Sequence, residues 1–251
     1  MGTRGMRPTG IGASILFLLS AALPPAAPAA SIRVMPVRVV LDRSEPIRTL
    51  SIRNEGDDAV RVQLRVYAWR QDQGEDAFEP TQDILANPPL FEIPARSAQT
   101  VRVGLRTQPA AMEQSFRIFV DEIPPSAAPA PGEVRALLRI SIPLFVPPLK
   151  PAAHLEWRAR MAAGGIAVTL HNAGNAHVQV NQLRIIAADG TVLGTQAMSA
   201  YLLPGSTRDM PVRIAGPIAA KRKIVVQAVT DQGSINTALV VEAGTVAGVV
   251  G

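Results

Sequence analysis

The sequence predicts an all-β chain built from two β-sandwich domains, and three observations carry that expectation. Short apolar segments rich in β-branched residues recur along the chain, separated by turn clusters such as Asn54-Glu55-Gly56-Asp57-Asp58. No segment sustains a helical period; only Gln108 to Gln114 offers a short helical alternative. Finally, Pro147-Pro148-Leu149-Lys150-Pro151 interrupts the series, because proline removes ladder donors and stiffens the backbone. Regularly spaced short strands on either side of such a break read as two sandwiches in tandem.

The first element is not part of the fold. Arg4 and Arg7 make a basic start, Ile11 to Leu23 form an apolar run, and Ala27-Pro28-Ala29 offers a small-residue cleavage site. That is the layout of a secretory signal peptide, and the run falls short of the ~20 residues that span a membrane. Residues 1–30 are therefore expected to be removed and the mature chain to be exported, with no stable membrane insertion. The first sandwich, residues 31–147, is expected to contain strands at Val34 to Leu41, Arg48 to Arg53, Arg61 to Trp69, Gln99 to Leu105 and Phe116 to Glu122. The second, residues 148–251, is expected to contain strands at Leu155 to Arg160, Ile166 to His171, Val178 to Ala187 and Val192 to Leu203. Thr207 to Ile214, Ile224 to Thr230 and Asn236 to Val241 complete it. Asp189-Gly190 between two apolar runs is a hairpin signal, and Gly244 to Gly251 is expected to fray.

Composition narrows the function. The chain has 251 residues and no cysteine, so an exported product must be held by its cores alone, and thiolate chemistry and cysteine-ligated zinc are excluded. The formal charge is +5, falling to +3 once Arg4 and Arg7 leave, and Lys150, Lys221 and Lys223 are the only lysines. The basicity is that of scattered arginines, with no charge run or aromatic platform suited to nucleic acid.

The segment Val134 to Ile142 stands apart. Val134, Ala136, Leu138, Ile140 and Ile142 share one parity and are all apolar, while the other parity mixes Arg135, Leu137, Arg139 and Ser141. Successive side chains of a strand point to opposite faces, so one face is a continuous aliphatic row. Proline-rich stretches isolate it on both sides: Pro124 to Pro131 before, and Pro143, Pro147, Pro148 and Pro151 after. Such a strand suits burial in its own sandwich and equally donation to another protein's sheet.

With these residues in view, the chain resembles the periplasmic pilus-assembly chaperones of chaperone–usher systems over essentially its whole mature length. Asn87-Pro88-Pro89-Leu90-Phe91-Glu92-Ile93-Pro94, followed by Gln99 and Arg102, is similar to the family's pattern of paired prolines, hydrophobic-x-proline, glutamine and arginine. Asp121-Glu122-Ile123-Pro124-Pro125 is similar to its strand end before a long loop, and Val134 to Phe145 to its donor strand. Asn172 to His177 and Leu203 to Arg208 resemble the archaic, Csu-type branch.

The resemblance implies two immunoglobulin-like sandwiches set at an angle, in a boomerang arrangement. Its clients are fimbrial subunits that lack their last strand, held by donor-strand complementation and handed to an outer-membrane usher. Val134, Ala136, Leu138, Ile140 and Ile142 then fill the client's pockets, each aliphatic side chain stabilising by roughly 1.5–3 kcal/mol before ordering costs. The family also anchors the client's C-terminal carboxylate with two basic residues. Arg38 aligns with the arginine, but the lysine position holds Pro143, leaving Arg102 or Arg139 as candidates for the second cation. Glu122 and Asp231 match acids of an interdomain ionic group whose arginine position is here Pro147, and Glu122 reads equally as a structural partner that holds strands together, with Arg102.

The implied protein is periplasmic, needs no cofactor or metal, and is not an enzyme. There is no glycine-rich phosphate loop, nucleophile elbow or metalloprotease histidine motif. His171 and His177 lack a carboxylate cluster and read as turn-stabilising, and His154 has no evident partner. The alternative is an exported two-domain structural or adhesive protein whose complete sandwiches assemble with copies of themselves.

Overall fold

The computed structural model describes residues 1–2, 32–124 and 136–244. The signal-peptide reading, the proline-rich loop beyond Pro124 and Val134 thus lie outside the described residues, as does the chain end after Gly244. Among the described residues there is no helix, so Gln108 to Gln114 is not helical; residues 108–113 are irregular and lead into a strand. Among these residues, therefore, no helix is long and apolar enough to cross a membrane.

The first sandwich contains β1 (Ile32–Met35), β2 (Val39–Val40), β3 (Ile47–Asn54), β4 (Val60–Asp72) and β5 (Glu75–Pro80). β6 (Ile84–Asn87), β7 (Leu90–Ile93), β8 (Ala98–Leu105), β9 (Gln114–Ile123) and β10 (Arg139–Val146) complete it. One sheet runs β1-β3-β8-β6; the other runs β2-β10-β9-β4-β5, with β7 also paired to β4. The strand expected over Val34 to Leu41 is therefore two strands in opposite sheets, divided where Pro36 interrupts the ladder after a cis Met35–Pro36 bond. Between the sheets the inward parity of each strand packs as one core, with Leu41, Leu50, Ile52, Val62, Ile93, Val101, Val103 and Ile118 fully buried. β5, β6 and β7 carry too little apolar alternation to be read from sequence.

The second sandwich contains β11 (Leu155–Ala162), β12 (Gly165–Asn172), β13 (Val178–Ala187) and β14 (Val192–Leu202). β15 (Thr207–Arg213), β16 (Lys223–Thr230) and β17 (Gly233–Val240) follow. Its sheets are β11-β12-β15 and β14-β13-β16-β17. The Asp189-Gly190 turn lies where expected: Gly190 adopts φ 87° and its N–H donates to the Ala187 carbonyl at 2.9 Å.

Both sandwiches are tied at one end by a buried asparagine two residues before a glycine. Asn54 Nδ2 donates to the carbonyls of Asp58, Ile93 and Pro94, and its Oδ1 accepts from Gly56 N–H. Asn172 Nδ2 donates to the carbonyls of Ala176 and Leu202, and its Oδ1 accepts from the N–H groups of Gly174 and His154. Each amide satisfies backbone groups that would otherwise be orphaned in the core, which accounts for a polar side chain with no exposure. Gly174 is required by packing, since a Cβ there would lie 2.3 Å from the Ala152 carbonyl oxygen.

A third, smaller apolar cluster joins the sandwiches: Trp69 from β4, Phe145 from β10 and Leu203 after β14, with Tyr201 against them. Gln71 closes this junction, donating to the Tyr201 carbonyl at 2.9 Å and accepting from Leu203 N–H at 3.0 Å.

Candidate functional site

The row singled out in the sequence lies on and before β10, and the two edges of that strand are unequal. Along one edge it pairs with β9 throughout, from Arg139 opposite Asp121 to Val146 opposite Gln114. Along the other it meets β2 only at Leu144 and Phe145, in parallel, with Leu41 N–H donating to the Phe145 carbonyl at 2.9 Å. Among the described residues the backbone from Arg139 to Pro143 thus has no strand on its outer side. Pro143 fits because an edge tolerates a missing donor.

The aliphatic row changes environment along its length. Ile142 is 2% exposed and belongs to the sandwich's own core with Leu144 and Val146. Ile140 is half-buried against that core, Leu138 is half-buried ahead of the strand, and Ala136 is exposed. The expectation that Ile142 reaches into a partner is corrected: its parity points under the facing sheet, and withdrawing it would open a cavity. The row emerges from the core at Ile140.

Glu122 holds the approach to this strand. Its Oε2 accepts from Leu138 N–H at 3.1 Å, and its own N–H donates to the Leu138 carbonyl at 2.9 Å. It therefore extends the β9–β10 pairing by one residue pair beyond Arg139 and Asp121.

Of the three arginines proposed as carboxylate anchors, the structure does not bring Arg102 or Arg139 to Arg38. Arg102 is exposed on β8, in the opposite sheet, opposite Thr49 and Asn87. Arg139 donates through Nε to Asp121, which also accepts from Arg65 Nε at 2.9 Å and Nη2 at 2.7 Å. This carboxylate ties β4, β9 and β10 together on the outer face. Arg38 precedes Val39, the partner of Leu144, so it sits level with Pro143. Four residues of strand separate that level from Arg139, about 13 Å.

Arg38 reaches instead into the second sandwich. Its Nη1 donates to Asp231 Oδ2 at 2.9 Å, and its Nη2 to Tyr201 Oη at 3.2 Å and to Gln179 Oε1. Burial works against the Arg38 charge, but the Tyr201 and Asp231 contacts outweigh it and raise the pKa above its ordinary value. Asp231 Oδ1 accepts from Gln179 N–H at 2.9 Å. Beside it, His177 donates from Nδ1 to Glu113, 2.8 Å from one carboxylate oxygen and 2.9 Å from the other, while its Nε2 lies 3.9 Å from Asp231. The His177 ring stacks on Phe145 at 3.6 Å. Asp231 thus meets Arg38 across the two sandwiches, with His177 and Glu113 beside them. The reading of His177 as a turn residue is corrected: its partners lie at Glu113 and Asp231, separations that no local motif reveals. His171 pairs across the β12–β15 ladder, with Nδ1 2.9 Å from Thr207 Oγ1, so its partner too lies far along the chain.

A further cation escaped the sequence reading. Arg117 lies on β9 directly across from Pro143 on one side and Tyr67 on the other. Its guanidinium carbon sits 3.8 Å from the centre of the Trp69 ring and 5.4 Å from that of Tyr201; Arg38 lies 5.6 Å from the same Tyr201 ring. Burial holds the Arg117 pKa below its ordinary value, with Asp76 and Tyr201 opposing. Alternation on β9 places it with Ser115, Phe119 and Asp121, a mixed outer face that does not single it out.

Comparison with known proteins places this geometry. Residues 31–152 match the family model described as pili and flagellar-assembly chaperone, PapD N-terminal domain, and residues 150–239 match pili assembly chaperone PapD, C-terminal domain. The chain is 28% identical over 192 residues to the chaperone protein FimB/FhaD of Bordetella pertussis, covering 70% of this chain and 74% of that protein. It superimposes on a chain of the CsuC–CsuE chaperone–tip adhesion subunit pre-assembly complex from archaic chaperone–usher Csu pili of Acinetobacter baumannii. The TM-score is 0.63 at 23% identity, over 84% of this chain and 99% of that one. A chain of the Salmonella enterica SafA pilin–SafB chaperone complex gives 0.57 at 19% identity, over 86% and 98%.

Proposed function

Because the chain belongs to the PapD-type pilus-assembly chaperone family, we propose that it is a periplasmic chaperone that holds fimbrial subunits by donor-strand complementation at the open edge of β10. The observation that carries this reading is the outer edge of Arg139 to Pro143, which has no strand beside it among the described residues and is continuous with an apolar row that leaves the core at Ile140. An uncovered edge of this kind is a template for another chain's strand, offering backbone hydrogen bonds along its length and alternate side chains as pocket-fillers. Val134, Ala136, Leu138 and Ile140 are those fillers, and Ile142 stays in its own sandwich. The complemented subunit passes to an outer-membrane usher, and release by strand exchange needs no nucleotide. The subunit's C-terminal end lodges in the cleft between the sandwiches, beside Arg38.

The signal peptide of residues 1–30, the division after Pro147 and the Csu-type branch belong to the same reading. Family membership favours it over a self-assembling structural protein, which would form homopolymers in place of a one-to-one complex with a client.

The test is co-expression with a fibre subunit of the same system. Ala136→Asp with Leu138→Asp is expected to abolish co-purification, since each places a charge in an apolar pocket, while the chaperone keeps its thermal transition. Undiminished co-purification overturns the reading.

A further inference from the structure

His177 stands at the junction of the two sandwiches with a carboxylate facing each of its ring nitrogens. It belongs to the second sandwich, just ahead of β13, and its Nδ1 lies 2.8 and 2.9 Å from the two oxygens of Glu113, which precedes β9 in the first. Its Nε2 faces Asp231 Oδ2 at 3.9 Å. The Glu113 side chain is only 2% exposed, and among the described residues His177 is the side chain that bonds it. The imidazole lies flat on Phe145 of β10, with the ring centres 3.6 Å apart and the planes 12° from parallel. A neutral imidazole carries one hydrogen, so either tautomer turns the lone pair of its other nitrogen toward a carboxylate. With the hydrogen on Nδ1 that lone pair faces Asp231; with it on Nε2 it faces Glu113. Only the doubly protonated ring offers a hydrogen to both acids, and the Phe145 face favours the same charge.

We infer that His177 is a proton-dependent latch between the sandwiches: their docking holds a proton on this ring, and the junction loosens as rising pH removes it. The charges around the ring point the same way. Arg38 and Asp231 neutralise each other across the junction, with Tyr201 and Gln179 as uncharged companions. Arg117 is stacked on Trp69 and, among the described residues, bonds neither acid. Glu113 is then the uncompensated charge, and a buried carboxylate requires a cation. Burial of the ring opposes its charge, but two carboxylates and an aromatic face act together in its favour. A docked state that holds more protons than the undocked one weakens as the pH rises. Because Phe145 lies on β10, the latch also positions the end of the strand whose outer edge is open. It operates in the chain alone, whether or not that edge binds a client.

Hydrogen exchange of amides that cross the junction tests the latch in the whole mature chain. Glu113 N–H donates to the Asn175 carbonyl at 2.9 Å and Leu203 N–H to Gln71 Oε1 at 3.0 Å, so both open to solvent when the sandwiches part. Their protection, corrected for intrinsic exchange, is expected to fall about tenfold between about pH 5 and about pH 8, as loss of one hydrogen bond to a charged group requires. Amides inside either sandwich should keep theirs. The fall should coincide with loss of the second ring hydrogen of His177, read from its side-chain nitrogen resonances by nuclear magnetic resonance. His177→Gln is expected to flatten the profile, a result that a merely packing role for the ring would not give. His154→Gln and His171→Gln, which replace the other two of the three histidines, should retain it. Should His177→Gln not fold, Glu113→Gln removes the acid partner and is expected to flatten the same profile. A native chain with a flat profile, a slope that survives His177→Gln or Glu113→Gln, or one lost with His154 or His171 overturns the latch.

Discussion

The two sandwiches are built alike and differ at one seam. Each packs two sheets over an aliphatic core and is tied by an asparagine amide at Asn54 or Asn172. In the second, the segment after β17 folds across β11: Glu242 N–H donates to the Ala159 carbonyl at 2.8 Å, and Met161 N–H donates to the Glu242 carbonyl at 3.0 Å. That strap covers the outer edge of β11 from Ala159 to Met161. In the first, β2 covers only Leu144 and Phe145 of β10, and among the described residues no other strand lies along its outer edge. An open edge is an aggregation hazard; the second sandwich straps part of its β11 edge, whereas in the first an apolar row leaves the core beside the open part of β10, which marks that edge as the binding surface.

The sharpest way to break this contrast is to truncate the same aliphatic row at its two ends. Leu144 is fully buried, and Leu144→Ala is expected to destabilise the first sandwich by about 2–5 kcal/mol, read from urea unfolding. Leu138→Ala, ahead of the strand and half-buried, is expected to cost no more than about 1 kcal/mol while weakening subunit binding. Equal losses of stability at both positions would mean that the row is core throughout and that the edge has no client.

How legible this was follows from the range of each signal. Strands with strict alternation and turn residues at their ends, such as β3, β8, β13 and β16, stand out because both signals are local. The same alternation could not say where the row of β10 leaves its core, because Ile140 and Ile142 have one parity and one chemistry; only the extent of the facing sheet divides them. The cleft was least legible. Arg38 and Asp231 were singled out by resemblance, but His177 with Glu113 and Arg117 with Trp69 join residues far apart in sequence, and nothing near any of them marks the pairing.

The strap offers the next test. Glu242→Pro removes the N–H that bonds Ala159 and is expected to cost about 1–3 kcal/mol in the second sandwich. It should also uncover the edge of β11 and promote association between copies, visible as earlier elution in size-exclusion chromatography. A variant that remains monomeric and equally stable would show that the seam is closed by packing alone, and the contrast between the sandwiches would lose its physical basis.

The smallest effect concerns how each outer face is laced. Asp121 ties β4, β9 and β10 through Arg65 and Arg139; Asp209 ties β11, β12 and β15, accepting from Thr169 Oγ1 and from Arg160 at 2.5 Å each. The Thr169 hydroxyl, with Arg160 assisting and burial opposing, holds the Asp209 carboxyl below its ordinary value of 3.8. A carboxyl whose folded pKa is depressed adds stability above its unfolded pKa and loses it as the pH falls through the folded value. Asp209 and Arg160 are well exposed, so solvent screening leaves only about 0.5 kcal/mol. Asp209→Asn is therefore expected to lower stability slightly at pH 7, and the difference from the native chain should vanish below the depressed pKa, where both side chains are neutral. A difference that persists unchanged into acid would assign the contribution to hydrogen bonds the asparagine cannot copy, and the lacing of the second sandwich would then be geometric and not ionic.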